Sequence, residues 1–139
     1  MFVVNPDLPR NRLYLVLAGS ISAEEADRCA ALIISRTLQL KPGFTVINDI
    51  SLYTVATNFF SARSSLQRVM DHFAVKKAKR VVRVVGASKS GMMEFARATL
   101  GLGKKYPYGV VYVPTLEAAE AKLDELEAAE ASATAAATG

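Results

Sequence analysis

Residues 12–25, RLYLVLAGSISAEE, carry the reading on which the fold of this chain turns. From Leu13 to Ala18 every position is apolar, so no alternation picks out a solvent face; that is the pattern of a strand covered on both sides. Gly19 then breaks the run. Ser22 with Glu25 three residues later has capping-box spacing, and Ala26, Cys29, Ala30, Ile33 and Thr37 recur at helical intervals, which predicts a helix over residues 23–39. A doubly covered strand followed at once by an amphipathic helix is the unit from which parallel sheets are built.

The same unit repeats downstream. Lys41-Pro42-Gly43 is turn chemistry, because proline presets the second turn position and glycine accepts positive φ at the third. Residues 44–50 (FTVINDI) read as a strand ending in polar residues. Thr57 can cap a second helix whose stripe is Phe59, Ala62, Leu66, Val69, Met70 and Phe73. Residues 79–85 (KRVVRVV) form another buried strand, a third helix opens at Ser88 or Ser90 and runs to about residue 100, and Gly101 and Gly103 end it. A last strand over 108–113 precedes Thr115, which caps a helix edged by Leu116, Ala119, Leu123 and Leu126.

Upstream, Phe2-Val3-Val4 is a short strand that the cluster Asn5-Pro6-Asp7-Leu8-Pro9 is expected to stop, since proline donates nothing to a ladder. The order is therefore β-β-α-β-α-β-α-β-α. It predicts a single α/β domain over residues 1–127, with a mostly parallel sheet, one antiparallel strand and helices packed on it. Residues 128–139 are alanine, serine and threonine with hardly a large side chain, so a frayed helix and then a flexible tail are expected.

At 139 residues and about half apolar, the chain is one globular domain's worth. The start, MFVVNPDLPR, has no basic region followed by a long apolar segment, and no apolar run approaches the roughly 18 residues of a membrane span. With a lone Cys29 the expectation is a cytoplasmic protein. The net charge of +4 hides an asymmetry: residues 1–116 hold 16 Lys and Arg against 7 Asp and Glu, whereas residues 117–139 hold one lysine against six acids. The acidic end can fold back on the basic body or stand as a separate surface.

Chemistry-bearing constellations are scarce. His72 is the only histidine and Cys29 the only cysteine, so the sequence offers no two-histidine metal site. Cys29 lies on the apolar stripe of the first helix, as a small core residue would. His72 lies off the stripe of the second helix, near its C-terminus, where a solvated imidazole suits the helix dipole. The segment Val84-Val85-Gly86-Ala87-Ser88-Lys89-Ser90-Gly91 fits neither the P-loop nor the dinucleotide spacing. Gly86 turns the chain and a serine caps the helix, which leaves Ser88, Lys89 and Ser90 as a candidate anion site. No cofactor is implied. The charge run Lys76, Lys77, Lys79, Arg80 and Arg83 can face phosphates or an anionic membrane, but it holds no aromatic of the kind a single-strand reader stacks on, which disfavours nucleic acid.

Asn48 and Asp49 sit toward the end of a parallel strand, the edge at which open α/β sheets place ligands. Phe60, beside the core position Phe59, can join Tyr53 and Val55 in an apolar patch next to Asp49.

Three stretches taken together, Arg12 to Ser22 with its helix, Val46-Ile47-Asn48-Asp49-Ile50-Ser51 and Arg80-Val81-Val82-Arg83-Val84-Val85-Gly86, resemble STAS domains, in particular the SpoIIAA-like, anti-sigma-factor-antagonist-like branch. The resemblance spans residues 2–127 by element order. It implies a small cytosolic bacterial module that binds other proteins, with some relatives resembling lipid-binding Sec14-like domains. In antagonist-type members an Asp-Ser-x-Gly motif follows the third strand and its serine accepts phosphate. Aligning Asp49-Ile50-Ser51 puts that position at Thr57-Asn58, where the motif is absent, although Thr57 can be modified in principle.

The expectation is a non-enzymatic interaction module without the usual phosphoserine motif. Its partner surface would comprise Asn48, Asp49, Tyr53, Thr57, Asn58 and Phe60, and its partner is a protein. The alternative is a carrier that binds a small ligand, lipid or nucleotide, between the sheet and its helices. A homodimer through the leucine edge of the last helix is compatible with either.

Overall fold

A computed structural model describes residues 1–53, 59–86 and 107–138. Its strands are β1 (Phe2–Asp7), β2 (Arg12–Gly19), β3 (Thr45–Tyr53), β4 (Arg80–Val84) and β5 (Gly109–Val113). Its described helices are α1 (Ala23–Thr37), α2 (Phe59–Val75) and α3 (Leu116–Thr138). The helix expected after Gly86 lies outside the described residues.

The strands form one sheet in the order β1-β2-β3-β4-β5. β1 runs antiparallel to β2 and every other neighbouring pair is parallel. The expected stop at Asn5 does not occur: β1 continues through Pro6, which pairs with Leu13. Among the described residues β1 is an edge strand with no ladder on its outer side, the place in a sheet where proline is tolerated.

Ser22 caps α1 as its spacing predicts, its hydroxyl accepting from the Glu25 N–H at 3.1 Å. Thr115 does the same for α3, accepting from Ala118 N–H at 3.1 Å. Gly43 turns the chain at φ +87°, and its N–H donates to the Lys77 carbonyl at 2.8 Å, tying the α1–β3 turn to the α2–β4 turn. Gly86 is constrained twice over: φ is +70°, and a Cβ there would stand 3.1 Å from Ser51 Cβ. It is the tight exit from β4 that the sequence reading gave it.

Both faces of the sheet are covered. On one face Leu13, Leu15, Val46 and Val81 pack against Cys29, Ala30 and Ile33 of α1 and Val69 and Phe73 of α2. Phe73 sits edge-on to Phe44 and Tyr108, at centroid distances of 6.0 and 6.3 Å. On the other face Ile47, Val82, Val84 and Val113 meet Ala119 and Leu123 of α3, both fully buried. This two-sided cover explains why β2 reads as an unbroken apolar run and why Val46-Ile47 of β3 and Val81-Val82 of β4 are apolar on both faces.

α3 also settles the charge asymmetry. Its acids fold back on the basic body: Arg12, only 1% exposed, meets Asp124 at 3.4 Å and Glu127 at 3.2 Å. The Tyr14 hydroxyl donates to Glu120 at 2.7 Å. Glu130 takes Arg80 at 3.4 Å and also Lys79. The helix continues to Thr138, well past Glu130, its last large side chain, because alanine has the highest intrinsic helix propensity. Leu116, placed by spacing on the apolar edge, is 44% exposed.

Candidate functional site

β3 positions the candidate residues, and its geometry departs from simple alternation. Against β2, Val16 faces Asp49 while Ala18 faces Leu52, so β3 carries one extra residue there, a bulge. Before the bulge, Asn48 points toward α1 and α2, whereas Asp49 points to the opposite face. Beyond it the parity is reset, and Tyr53 lines the same cavity as Asn48 although five positions separate them. A bulge re-aims a side chain in this way without breaking the sheet.

The cavity lies between the sheet and α1 and α2 and has a volume of about 80 Å³. Leu15, Leu17, Cys29, Ile33, Val69 and Met70 make its walls apolar, and Asn48, Tyr53, Ser65 and Arg83 are its polar members. Asn48 is 6% exposed, and its Oδ1 accepts no hydrogen bond. Arg83, 4% exposed, donates from Nη1 to the Tyr112 hydroxyl at 2.9 Å and sits 5.7 Å from that ring's centre. The Ser65 hydroxyl donates to Asp27 across the α1–α2 seam. Burial raises the pKa of the Tyr53 phenol above its ordinary value, which favours the neutral form.

Asp49 stands apart from this cavity. Its Oδ1 accepts from the Ser51 N–H at 3.0 Å and from the Ser51 hydroxyl at 2.6 Å, the local carboxylate-to-backbone bond expected of an Asx residue, formed here within a strand. β3 pairs with β4 only as far as Asp49 opposite Val84, but with β2 as far as Tyr53 opposite Gly19. The last residues of β3 therefore project past β4 at the carboxyl end of the sheet, and Leu52 there is 71% exposed.

The sequence grouping is thus divided. Asn48 and Tyr53 share the cavity, and Asp49 belongs to the opposite face. Thr57, Asn58, Ser88, Lys89 and Ser90 lie outside the described residues, as does the side chain of Phe60. Leu52 was missed because an exposed leucine leaves no mark in an apolar run. Arg83 belongs to the basic run in sequence, yet it is buried. Its signal was available: a lone charge within VVRVV, in a strand covered on both faces, has nowhere to go but the interior.

Neither reactive side chain is poised for chemistry. Burial pushes the Cys29 thiol up to about 11, which keeps it protonated and inert at neutral pH. His72 is not the solvated imidazole its position suggested: its Nε2 lies 2.6 Å from the Thr37 hydroxyl. Burial, with Lys76 nearby, lowers its proton affinity. Among the described residues no cluster of His, Cys, Asp and Glu is placed to hold a metal ion, and no helix is long and apolar enough to cross a membrane.

No protein-family model matches the sequence, and no curated protein does. Solved structures do resemble the chain. One is an uncharacterized protein of the DUF3478 family with a SpoIIAA-like fold from Shewanella loihica PV-4, at 16% identity over 88% of this chain and 93% of that one, with a TM-score of 0.62. A second is the anti-sigma factor antagonist SpoIIAA in its unphosphorylated form, at 12% identity over 91% and 98% of the two chains, TM-score 0.60. A third is the Bacillus cell fate determinant SpoIIAA in the phosphorylated form, at 16% identity over 88% and 99%, TM-score 0.50. With one antiparallel strand on an otherwise parallel five-stranded sheet and helices on both faces, this chain has a SpoIIAA-like fold.

Proposed function

We propose that the protein is a non-enzymatic regulatory module of bacterial signalling type that binds a partner protein at the carboxyl end of its sheet. The observation that carries this reading is Leu52, 71% exposed on the part of β3 that outruns β4. A large aliphatic side chain held out on an ordered strand costs solvation until something covers it, and the Asp49–Ser51 hydrogen bonds stiffen the strand beneath it. The structural likeness to an anti-sigma factor antagonist supports the same reading. A cytoplasmic site of action goes with it. Control through the family's phosphoserine does not, because the corresponding segment offers Thr57 without the motif.

The test compares wild type, Leu52→Asp and Phe60→Asp as bait for quantitative partner recovery, with melting curves to confirm the fold. Loss of roughly tenfold or more in recovery at unchanged melting temperature is the expected result, as for a central aliphatic contact. Equal recovery from all three baits removes the surface.

One observation favours a second reading, a small-ligand carrier: the cavity is apolar, and the Asn48 carbonyl is buried in it without a donor. An occupant with an apolar body and a single N–H or O–H would satisfy it. Native mass spectrometry of gently purified protein separates the two, an adduct indicating a carrier and the bare mass an interaction module.

A further inference from the structure

The amino-terminal edge of the sheet, opposite the partner surface, gathers three turns that hydrogen bonds hold together. The Lys41 N–H donates to Asn11 Oδ1 at 2.8 Å and Asn11 Nδ2 returns a bond to the Lys41 carbonyl at 3.1 Å. These bonds join the β1–β2 turn to the α1–β3 turn. The bond from Gly43 N–H to the Lys77 carbonyl joins the latter to the α2–β4 turn. At the helix ends, Thr37 meets His72 at 2.6 Å, which sets Leu38 beside the last turn of α2.

Each turn presents one large aliphatic side chain to solvent: Leu8 is 52%, Leu38 65% and Val75 78% exposed. Basic side chains surround them. Residues 8–11, 36–43 and 74–79 contain Arg10, Arg36, Lys41, Lys76, Lys77 and Lys79 and no acid. Glu130 takes Lys79 and Asp7 takes Arg10, which leaves Arg36, Lys41, Lys76 and Lys77 to give the rim its positive charge.

We propose that this edge docks on an anionic lipid surface, with Leu8, Leu38 and Val75 entering the acyl boundary while the lysines and arginines meet the headgroups. Charge complementarity and the kind of apolar group select the occupant. Basic residues near an anionic leaflet attract it additively, and aliphatic tips gain by entering hydrocarbon. A single-stranded nucleic acid would call for aromatic platforms, and these three segments contain none. Such docking needs no membrane-crossing helix and leaves the carboxyl end of the sheet facing away from the bilayer for a partner.

The test is flotation of the purified chain with phosphatidylcholine–phosphatidylserine vesicles and with phosphatidylcholine alone, each at low and high salt, alongside a gel-shift assay with duplex DNA. Two variants separate the contributions: Lys41→Glu/Lys76→Glu changes charge, and Leu38→Ser/Val75→Ser leaves it unchanged. All four side chains lie on the rim, and circular dichroism confirms the fold of each variant. Wild type is expected to float with the anionic vesicles only and to dissociate in high salt. The charge variant should lose roughly tenfold or more in vesicle affinity, and the aliphatic variant roughly tenfold. Equal binding to neutral vesicles, an aliphatic variant that binds as wild type, or a gel shift without flotation overturns the proposal. Absence of binding to any vesicle does so too.

Discussion

Asn48 and His72 show how much one residue's surroundings can alter its reading. Asn48 is a polar side chain sealed against α1 and α2 with an unsatisfied carbonyl, and such a group costs stability as long as nothing donates to it. Asn48→Leu, which keeps the heavy-atom branching and whose added bulk the adjoining cavity accepts, is therefore expected to stabilise the free protein by about 1 kcal/mol, read as a higher urea midpoint at unchanged slope. A lower midpoint would show that the amide is engaged. His72 makes a pH-dependent prediction. Its proton affinity is lower in the folded state, through burial first and Lys76 second. The unfolded chain therefore binds the proton more readily, and stability falls as pH drops from about 6.5 toward the lowered folded value. Denaturation midpoints measured between neutral and mildly acidic pH should fall for wild type and fall less for His72→Gln; identical slopes would remove His72 from the effect. The sequence identified Asn48 and Asp49 as a pair because they are adjacent, but it could not assign them to different roles. That division comes from strand alternation combined with what covers each face.

Among the elements, α3 has the most testable energetics. Arg12 is buried, while its partners Asp124 and Glu127 are 66% and 49% exposed, so the pair is asymmetric. Removing the carboxylates strands a buried cation, whereas removing the arginine leaves carboxylates that water can solvate. Asp124→Asn/Glu127→Gln is expected to cost about 3 kcal/mol and Arg12→Met about 1 kcal/mol or less, both measurable by chemical denaturation. Equal losses would show that the contact acts through packing alone. The placement of α3 was half legible. Ala119 and Leu123 announced the apolar edge, and the run of acids announced a charged one. That the acids would reach β2 and β4, rather than solvent, depended on Arg12 and Arg80 lying at the same end of the sheet, on either side of Thr45 in β3, a consequence of register. The run of β1 through Pro6 is a similar case. Proline ends a strand only where a ladder needs its N–H, and only the sheet order tells that β1 is an edge.

Across the whole molecule, local pattern accounts for the element order, the caps at Ser22 and Thr115, the turn at Gly43, the buried character of β2, β3 and β4, and through them the α/β class. Each of these rests on interactions a few residues apart or on side-chain periodicity, both written directly in the chain. Tertiary structure alone decided which groups meet across it: the cavity shared by Asn48 and Tyr53, the bulge that aims Tyr53 there, the burial of Arg12 under the acids of α3, and the basic rim assembled from three separate turns. Those depend on strand register and helix placement, which are set by the packing of the entire core and leave no signature at any one position.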